Sequence, residues 1–598
     1  MPRLFFAALC SAVVLCPAAA RADGGQQIIV NGTPDVGPLQ MMRPGQGKAG
    51  TATIRGRVVA MDTGQVIRRA QVRLSGPDAG VKSALTDGNG RYEFKALPAG
   101  RVNLTVSKGG FVSMQYGQTR PFEPGRPIEL SDGQMLDKVD IALPRGSVIS
   151  GRVVDEFGEP VTDAMVTAMR MSFTNGRRRL VPAGRLGQTN DIGQFRIYGL
   201  PPGEYYISAT YRDLSAIAMN IAEAGGGGSG SMPASGYAPT YFPSTPSPAE
   251  AQRVSVAVGQ EMTGIDISLQ PVKLARITGQ AVASDGRPLG SAMIMLMPAS
   301  RDGGFFMPGG TTRTNASGQF TLNGVAPGDY SLQVRSSGPM MFDAGGGSVM
   351  FSVATPDGGS SSARQEPEFA NIPLSINGED VAGLVVMTTH GAKATGRVVF
   401  EGGVRPEGTA GIRISAPSAD LDGGPAIGTG SAQVKADGTF ELSGLAGTRI
   451  IRAGNLPKGW ILKSVRVNGA DVTDTGYEFK PGEEIGGLEV RLTERTTEVD
   501  GSVTDAQGQP LKDYTVVVFS TDESKWTLPM TRWTQSARPD QEGRFRIQNL
   551  PPGSYYAVAV SYVAQGEWGD PEWLTRARDK ATTLTVSEGA GTPLNLKL

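Results

Sequence analysis

The stretch GQFRIYGLPPGEYYISAT, residues 193–210, decides the fold, because the same design returns as GRFRIQNLPPG at 543–553. Gly193 opens a turn, Phe195 and Ile197 alternate with polar neighbours, Leu200-Pro-Pro-Gly203 makes a corner, and Tyr205, Ile207 and Ala209 alternate again. Alternation at period two with one polar face is the mark of a half-buried strand. Gly and Pro at the corner preset the dihedral angles of a reversal. The reading is a β-hairpin with a fixed corner.

The hairpin recurs. Gly90-Arg-Tyr92-Glu-Phe94 runs to Leu97-Pro-Ala-Gly100, Gly318-Gln-Phe320-Thr-Leu322 runs to Val325-Ala-Pro-Gly328, and Gly438-Thr-Phe440-Glu-Leu442 runs to Leu445-Ala-Gly447. Turn glycine and corner glycine stand ten residues apart in four copies and nine in the fourth. Such regular spacing is a repeat rather than an accident of composition.

Upstream of each hairpin lies an opening strand with a central glycine. The copies are Ile54-Arg-Gly56-Arg-Val58, Ile149-Ser-Gly151-Arg-Val153, Ile277-Thr-Gly279-Gln-Ala281, Ala394-Thr-Gly396-Arg-Val398 and Val499-Asp-Gly501-Ser-Val503. Glycine inside a strand costs stability, so its fivefold return predicts a bulge or a close backbone approach. Downstream, each unit closes with a short apolar strand: Ile141-Ala-Leu143, Ile267-Ser-Leu269, Leu384-Val-Val386, Leu488-Glu-Val490 and Leu594-Asn-Leu596. The opening glycines stand 95 to 128 residues apart, the size of a seven-strand sandwich with insertions. The predicted organisation is an all-β tandem array of about five sandwiches over 51–146, 147–271, 272–391, 392–495 and 496–598.

The first 22 residues read as an export signal. Arg3 is the basic start, Leu4 to Cys16 is apolar, and Ala20-Arg-Ala22 offers a cleavage site. The apolar run is shorter than the roughly 20 residues a membrane span needs. Leu9 and Leu15 precede the two cysteines, Cys10 and Cys16, where a lipid-anchor motif wants a small residue. No later segment is apolar enough to serve as an anchor. The expectation is a chain exported to the periplasm, cell surface or exterior, with no cysteine left after cleavage and hence no disulfide. Residues 23–50 read as a disordered Gly/Pro-rich lead-in, and Gly/Ser-rich runs at 224–231 and about 343–364 as loop insertions.

Composition excludes further classes. Basic and acidic residues number 57 each, and removal of the leader takes Arg3 and Arg21 with it, so the balance is slightly negative. That is not the footprint of nucleic-acid binding. With 82 Gly, 41 Pro and only 19% charged residues, turn-rich β structure is favoured over helices.

Together the G-x-V strand, G-x-P turn, D-x-x-G-x-F hairpin and L-P-P-G-x-Y corner resemble the carboxypeptidase regulatory-like domain, strongest at 147–271 and 496–598 and weakest at 392–495. The resemblance covers nearly all of the chain after the leader. It implies Ig-like, prealbumin-like β-sandwiches, related in shape to carbohydrate-binding folds, and brings no catalytic residues.

Chemistry is correspondingly sparse. His390 is the one histidine, which excludes an ordinary zinc site and leaves any Ser-His-Asp arrangement resting on one residue placed in a linker. Asp87-Gly-Asn89-Gly90 has alternating oxygens that suggest calcium, but ordinary hairpin chemistry accounts for it better. Arg177, Arg178 and Arg179 stand at a hairpin tip, either as a solvated loop or as a site for an anionic polymer. All five tryptophans lie late in the chain, and Trp526, Trp533, Trp568 and Trp573 share the last unit. Their rings are candidates for a sugar platform, with module core or packing between modules as the alternative. The expected protein is non-enzymatic, binds no cofactor or metal, and acts as an extracytoplasmic binding or scaffold protein for polysaccharide. The alternative is an accessory subunit docking onto an envelope transporter or peptidase.

Overall fold

The computed structural model describes residues 28–30, 48–174, 177–211, 235–299, 310–336, 340–343, 348–351, 368–406, 409–419 and 430–598. The expected leader, most of the lead-in and the Gly/Ser-rich run at 224–231 lie outside these residues. Within the lead-in, Ile28–Val30 is a strand paired antiparallel with Ser348–Phe351.

The opening strand is the centre of one sheet in every unit. Glu498–Thr504 lies antiparallel to Arg544–Gln548 on one side and parallel to Gly591–Lys597 on the other. Ala392–Phe400 stands likewise between Thr439–Leu445 and Glu484–Thr493, and Ala275–Val282 between Gln319–Val325 and Val381–Met387. Ser147–Val154 and Ala52–Ala60 repeat the arrangement with shorter closing strands. A second sheet covers the first. In the last unit it is built on Thr515–Ser520 between Thr534–Ala537 and Gly553–Val560; in the first it is built on Gln71–Gly76 between Gly80–Leu85 and Gly100–Ser107. The inward residues of the two sheets form five cores among the described residues, one per unit. Tyr92, Phe195, Phe320, Phe440 and Phe545, the aromatic of each hairpin, are all buried there.

The central glycines are explained by close approach. A Cβ built on Gly56 would stand 1.9 Å from the Val139 carbonyl oxygen, and on Gly501 1.8 Å from that of Leu594. The corresponding distances are 2.0 Å at Gly151, 2.3 Å at Gly279 and 2.4 Å at Gly396. Real Cβ atoms do not tolerate such contacts, so the closing strand can lie this near only where the side chain is a hydrogen. At Gly279 and Gly396 the parallel register also shifts, so both expected causes operate together there.

The corner is locked by its tyrosine. The Tyr205, Tyr330 and Tyr555 hydroxyls donate to the carbonyls of Pro201, Ala326 and Pro551 at 2.5, 2.8 and 2.5 Å. In the shortened fourth corner Arg449 takes this place, with its buried guanidinium donating to Ala446 O at 2.8 Å and Ala416 O at 3.3 Å. The first unit carries Val102 instead and has no such bond.

The last unit departs from a two-layer sandwich. Every residue of Thr515–Ser520 is buried. Val516 and Val518 face the main core, while Val517 and Phe519 face a second one with Trp526, Val558, Val563, Leu574 and Ala577. An α-helix, Pro571–Arg578, roofs it; Pro571 begins the helix and the Asp570 side chain caps it by accepting from Glu572 N. Sequence periodicity predicted no helix. Eight residues are too few to show a helical period, and tertiary burial of Leu574 and Ala577 holds this one.

Candidate functional site

The tryptophans are mostly committed to packing. Trp526 is 5% exposed, donates Nε1–H to Ser520 O at 2.7 Å, and meets Phe519 edge-on at 5.6 Å. Trp533 is stacked on Tyr555 at 6.0 Å, carries the Lys525 ammonium 3.6 Å from its ring centroid, and donates Nε1–H to Asp474 Oδ2 at 3.0 Å. Trp526 is thus enclosed without an open face, and the partly exposed Trp533 ring is engaged by both Tyr555 and Lys525. Trp568 and Trp573 lie at the outer margin of the second core, partly buried. Trp460, in the fourth unit, is a core residue against Phe400.

Asp474 is the anion of a fourth-to-fifth module contact. Arg532 grips it with both arms, Nε to Oδ1 at 2.8 Å and Nη2 to Oδ2 at 3.0 Å, while Arg452 stands 4.0 Å away and donates to Met530 O at 3.2 Å. Burial by itself would raise the Asp474 carboxyl. The Arg532 bonds and charge, with Trp533 and Arg452, outweigh burial and hold it below the usual carboxylate range. Lys463 adds a second tie to Glu588 at 2.7 Å.

A larger junction joins the first, second and fifth modules, whose contacting residues are more than 400 positions apart at its centre. Arg538 is fully buried between two carboxylates, Glu123 of the first module and Asp513 of its own, the latter at 2.6 Å. It also donates to Gly117 O at 3.2 Å. Glu123 is preorganised by its loop, since its Oε2 accepts from Thr119 N, Thr119 Oγ1 and Arg120 N at 3.1 to 3.3 Å. Arg126 donates to the carbonyls of Pro539 and Asp540 at 3.3 and 2.6 Å, and the Gln541 amide exchanges bonds with the Glu129 backbone at 3.2 and 3.0 Å.

Phe122, at the loop tip, sits in the left-handed region with φ 64°, a strained setting for a bulky residue. Its carbonyl accepts from Gln565 N at 2.9 Å, and its ring lies 3.7 Å from the Arg170 guanidinium. Arg120 stands over Tyr562 at 5.4 Å. Nothing in the local patterning marks these residues, because each is defined by a surface hundreds of positions away. A cleft of about 190 Å³ opens beside the junction, with Arg101, Glu129, Asp500, Arg544 and Arg546 among its walls.

The other candidates resolve simply. His390 is not in a solvated linker: Thr389–His390 pairs with Glu368–Phe369, and Nε2 lies 3.2 Å from the buried Glu368 carboxylate. Asp87 Oδ1 accepts from Asn89 N and Arg91 N at 2.8 Å each, which is turn chemistry. The same turn is built by Asn190, Asn315 and Asp540 in other modules. Arg178 stacks on Phe173 at 5.4 Å and points toward Asp570 at 4.0 Å, and Arg179 is also partnered. The Arg177 side chain and the tip at 175–176 lie outside the described residues. Among the described residues no cluster of three or more His, Cys, Asp or Glu is placed to hold a metal ion.

Fold and junctions thus define a tandem array of prealbumin-like β-sandwiches with its two ends in contact. Three segments, residues 53–144, 276–342 and 498–598, match the carboxypeptidase regulatory-like domain. That match leaves out 147–271 and 392–495, although both segments keep the notched glycine and a bonded corner. No curated protein matches the chain. Among solved structures it is similar to a Streptococcal ancillary pilin, at 13% identity over 56% of this chain and 98% of that one with a TM-score of 0.20. It is also similar to BcpA, the major pilin subunit of Bacillus cereus (11%, 57% and 99%, TM-score 0.13). A third is a putative adhesin from Bacteroides ovatus (12%, 40% and 91%, TM-score 0.18).

Proposed function

We propose that this chain is a non-catalytic, extracytoplasmic scaffold that displays the loops of its sandwiches to a polysaccharide. The export reading rests on the leader at 1–22; no helix among the described residues is long and apolar enough to cross a membrane. The absence of catalysis rests on chemical poverty, with one histidine already engaged by Glu368.

The observation that carries the binding role is the pair Trp568, in the short 3-10 turn Glu567–Gly569, and Trp573, in the first turn of the helix Pro571–Arg578. Their partly exposed rings lie at the edge of the second core. Strands are spent on their cores, so specificity falls to loops held by them. A flat ring fixed by packing offers a sugar its face at little entropic cost.

Co-sedimentation of the full chain with insoluble polysaccharides tests this reading. Capture that falls tenfold or more in Trp568→Ala or Trp573→Ala, with folding intact, supports it. No capture by any polysaccharide turns the assignment to the second reading, an accessory subunit docked on an envelope transporter or peptidase. That reading is favoured by the ease with which this protein buries arginines in polar contacts between modules, as at Arg538.

A further inference from the structure

We propose that the contact between the 117–129 segment and the fifth module is a reversible latch, which decides whether the array is folded back or extended. The observations concern how the contact is made. Its centre is a guanidinium, Arg538, enclosed by Glu123 and Asp513. Around it run side-chain bonds to carbonyls from Arg126 and Gln541, the Gln565 N–H bond to the Phe122 carbonyl, and one cation–ring contact, Arg120 on Tyr562. Among the described residues the apolar cores of the first and fifth modules are separate.

A buried ion pair gains in attraction about what it loses in desolvation, so it specifies a geometry more than it stabilises one. A polar contact between self-sufficient domains is the kind that opens and closes. The strained φ of Phe122 adds to the case, since a left-handed bulky residue persists only while its surroundings hold it. Opening relaxes Phe122 and leaves every sandwich intact, while removing the tie between chain ends. It also uncovers Arg538, Pro539 and Asp540, which are buried when the latch is shut.

Charge reversal on the full chain tests the latch. Arg538→Glu and Glu123→Arg should each raise the radius of gyration in small-angle scattering and slow sedimentation, and the double variant should return both toward wild type. Because Arg538→Glu also disturbs Asp513 within its own module, near-ultraviolet dichroism of the tryptophan-rich last module checks its fold. The pair Arg126→Ala with Gln541→Ala, which touches no core, should give a smaller shift in the same direction. The proposal is overturned if folded single variants keep the wild-type radius. It also fails if the double variant stays as expanded as either single one, or if the expansion is a concentration-dependent dimer.

Discussion

At Gly501 the Leu594 carbonyl occupies the space a methyl group would need, at 1.8 Å from the ideal Cβ. Gly501→Ala is therefore expected to destabilise the last module by about 3 kcal/mol, as overpacking against backbone does. Urea unfolding followed by tryptophan emission measures it. Gly508, in the adjacent turn with nothing within 4 Å of its Cβ position, is the matched control. Its substitution should cost only the roughly 1 kcal/mol of a left-handed residue. Tyr555→Phe removes a 2.5 Å bond to Pro551 O and should cost about 1 kcal/mol in the same assay.

Asp474 supplies a pH prediction. Its carboxyl is held below its ordinary value in the folded chain, so the stability it contributes is present above that ordinary value, about 4, and is lost as pH falls through the lower folded value. Acid titration should loosen the fourth-to-fifth module contact in that window, and Asp474→Asn should remove the dependence. Repeated glycines and tyrosines of this kind were legible in the sequence because they recur at fixed spacing. Arg538 and Asp474 were not. Their partners belong to other modules, and no local pattern records a partner at that distance.

Among elements, Thr515–Ser520 holds the most information. Its apolar run TVVVF breaks the alternation of a two-layer strand, and the structure shows the reason: both of its faces are covered. Trp526, Trp568 and Trp573 follow from this, since a second core needs large side chains to fill it, whereas Trp533 packs against the main core. Sequence reading found the cluster but left its role divided between ligand platform and packing; continuous rather than alternating burial was the signal that would have decided for Trp526. Trp526→Ala should cost about 3 to 5 kcal/mol of module stability, the range for emptying a buried aromatic site. Calorimetry resolves that loss. Trp573→Ala, at the rim, should lower the transition much less.

Over the whole molecule, five separate cores predict several unfolding transitions rather than one. Scanning calorimetry should show more than a single two-state peak, with Gly501→Ala moving only the component of the last module. The strand content and repeat unit were readable from composition and period, whereas the folding back of the array was not, because it depends on loops whose sequences carry no period.

First and last strands of each sandwich lie side by side and parallel. A polypeptide threaded this way comes in at one pole of a module and leaves at the other, so every module adds a step along the path. Copy number then acts as a ruler. Excising one internal module, even at perfect seams, would displace the final sandwich by a whole step and carry Arg538 out of reach of Glu123. Recombination between such similar repeats, the usual route by which tandem arrays grow and shrink, is here a geometric event before it is a functional one.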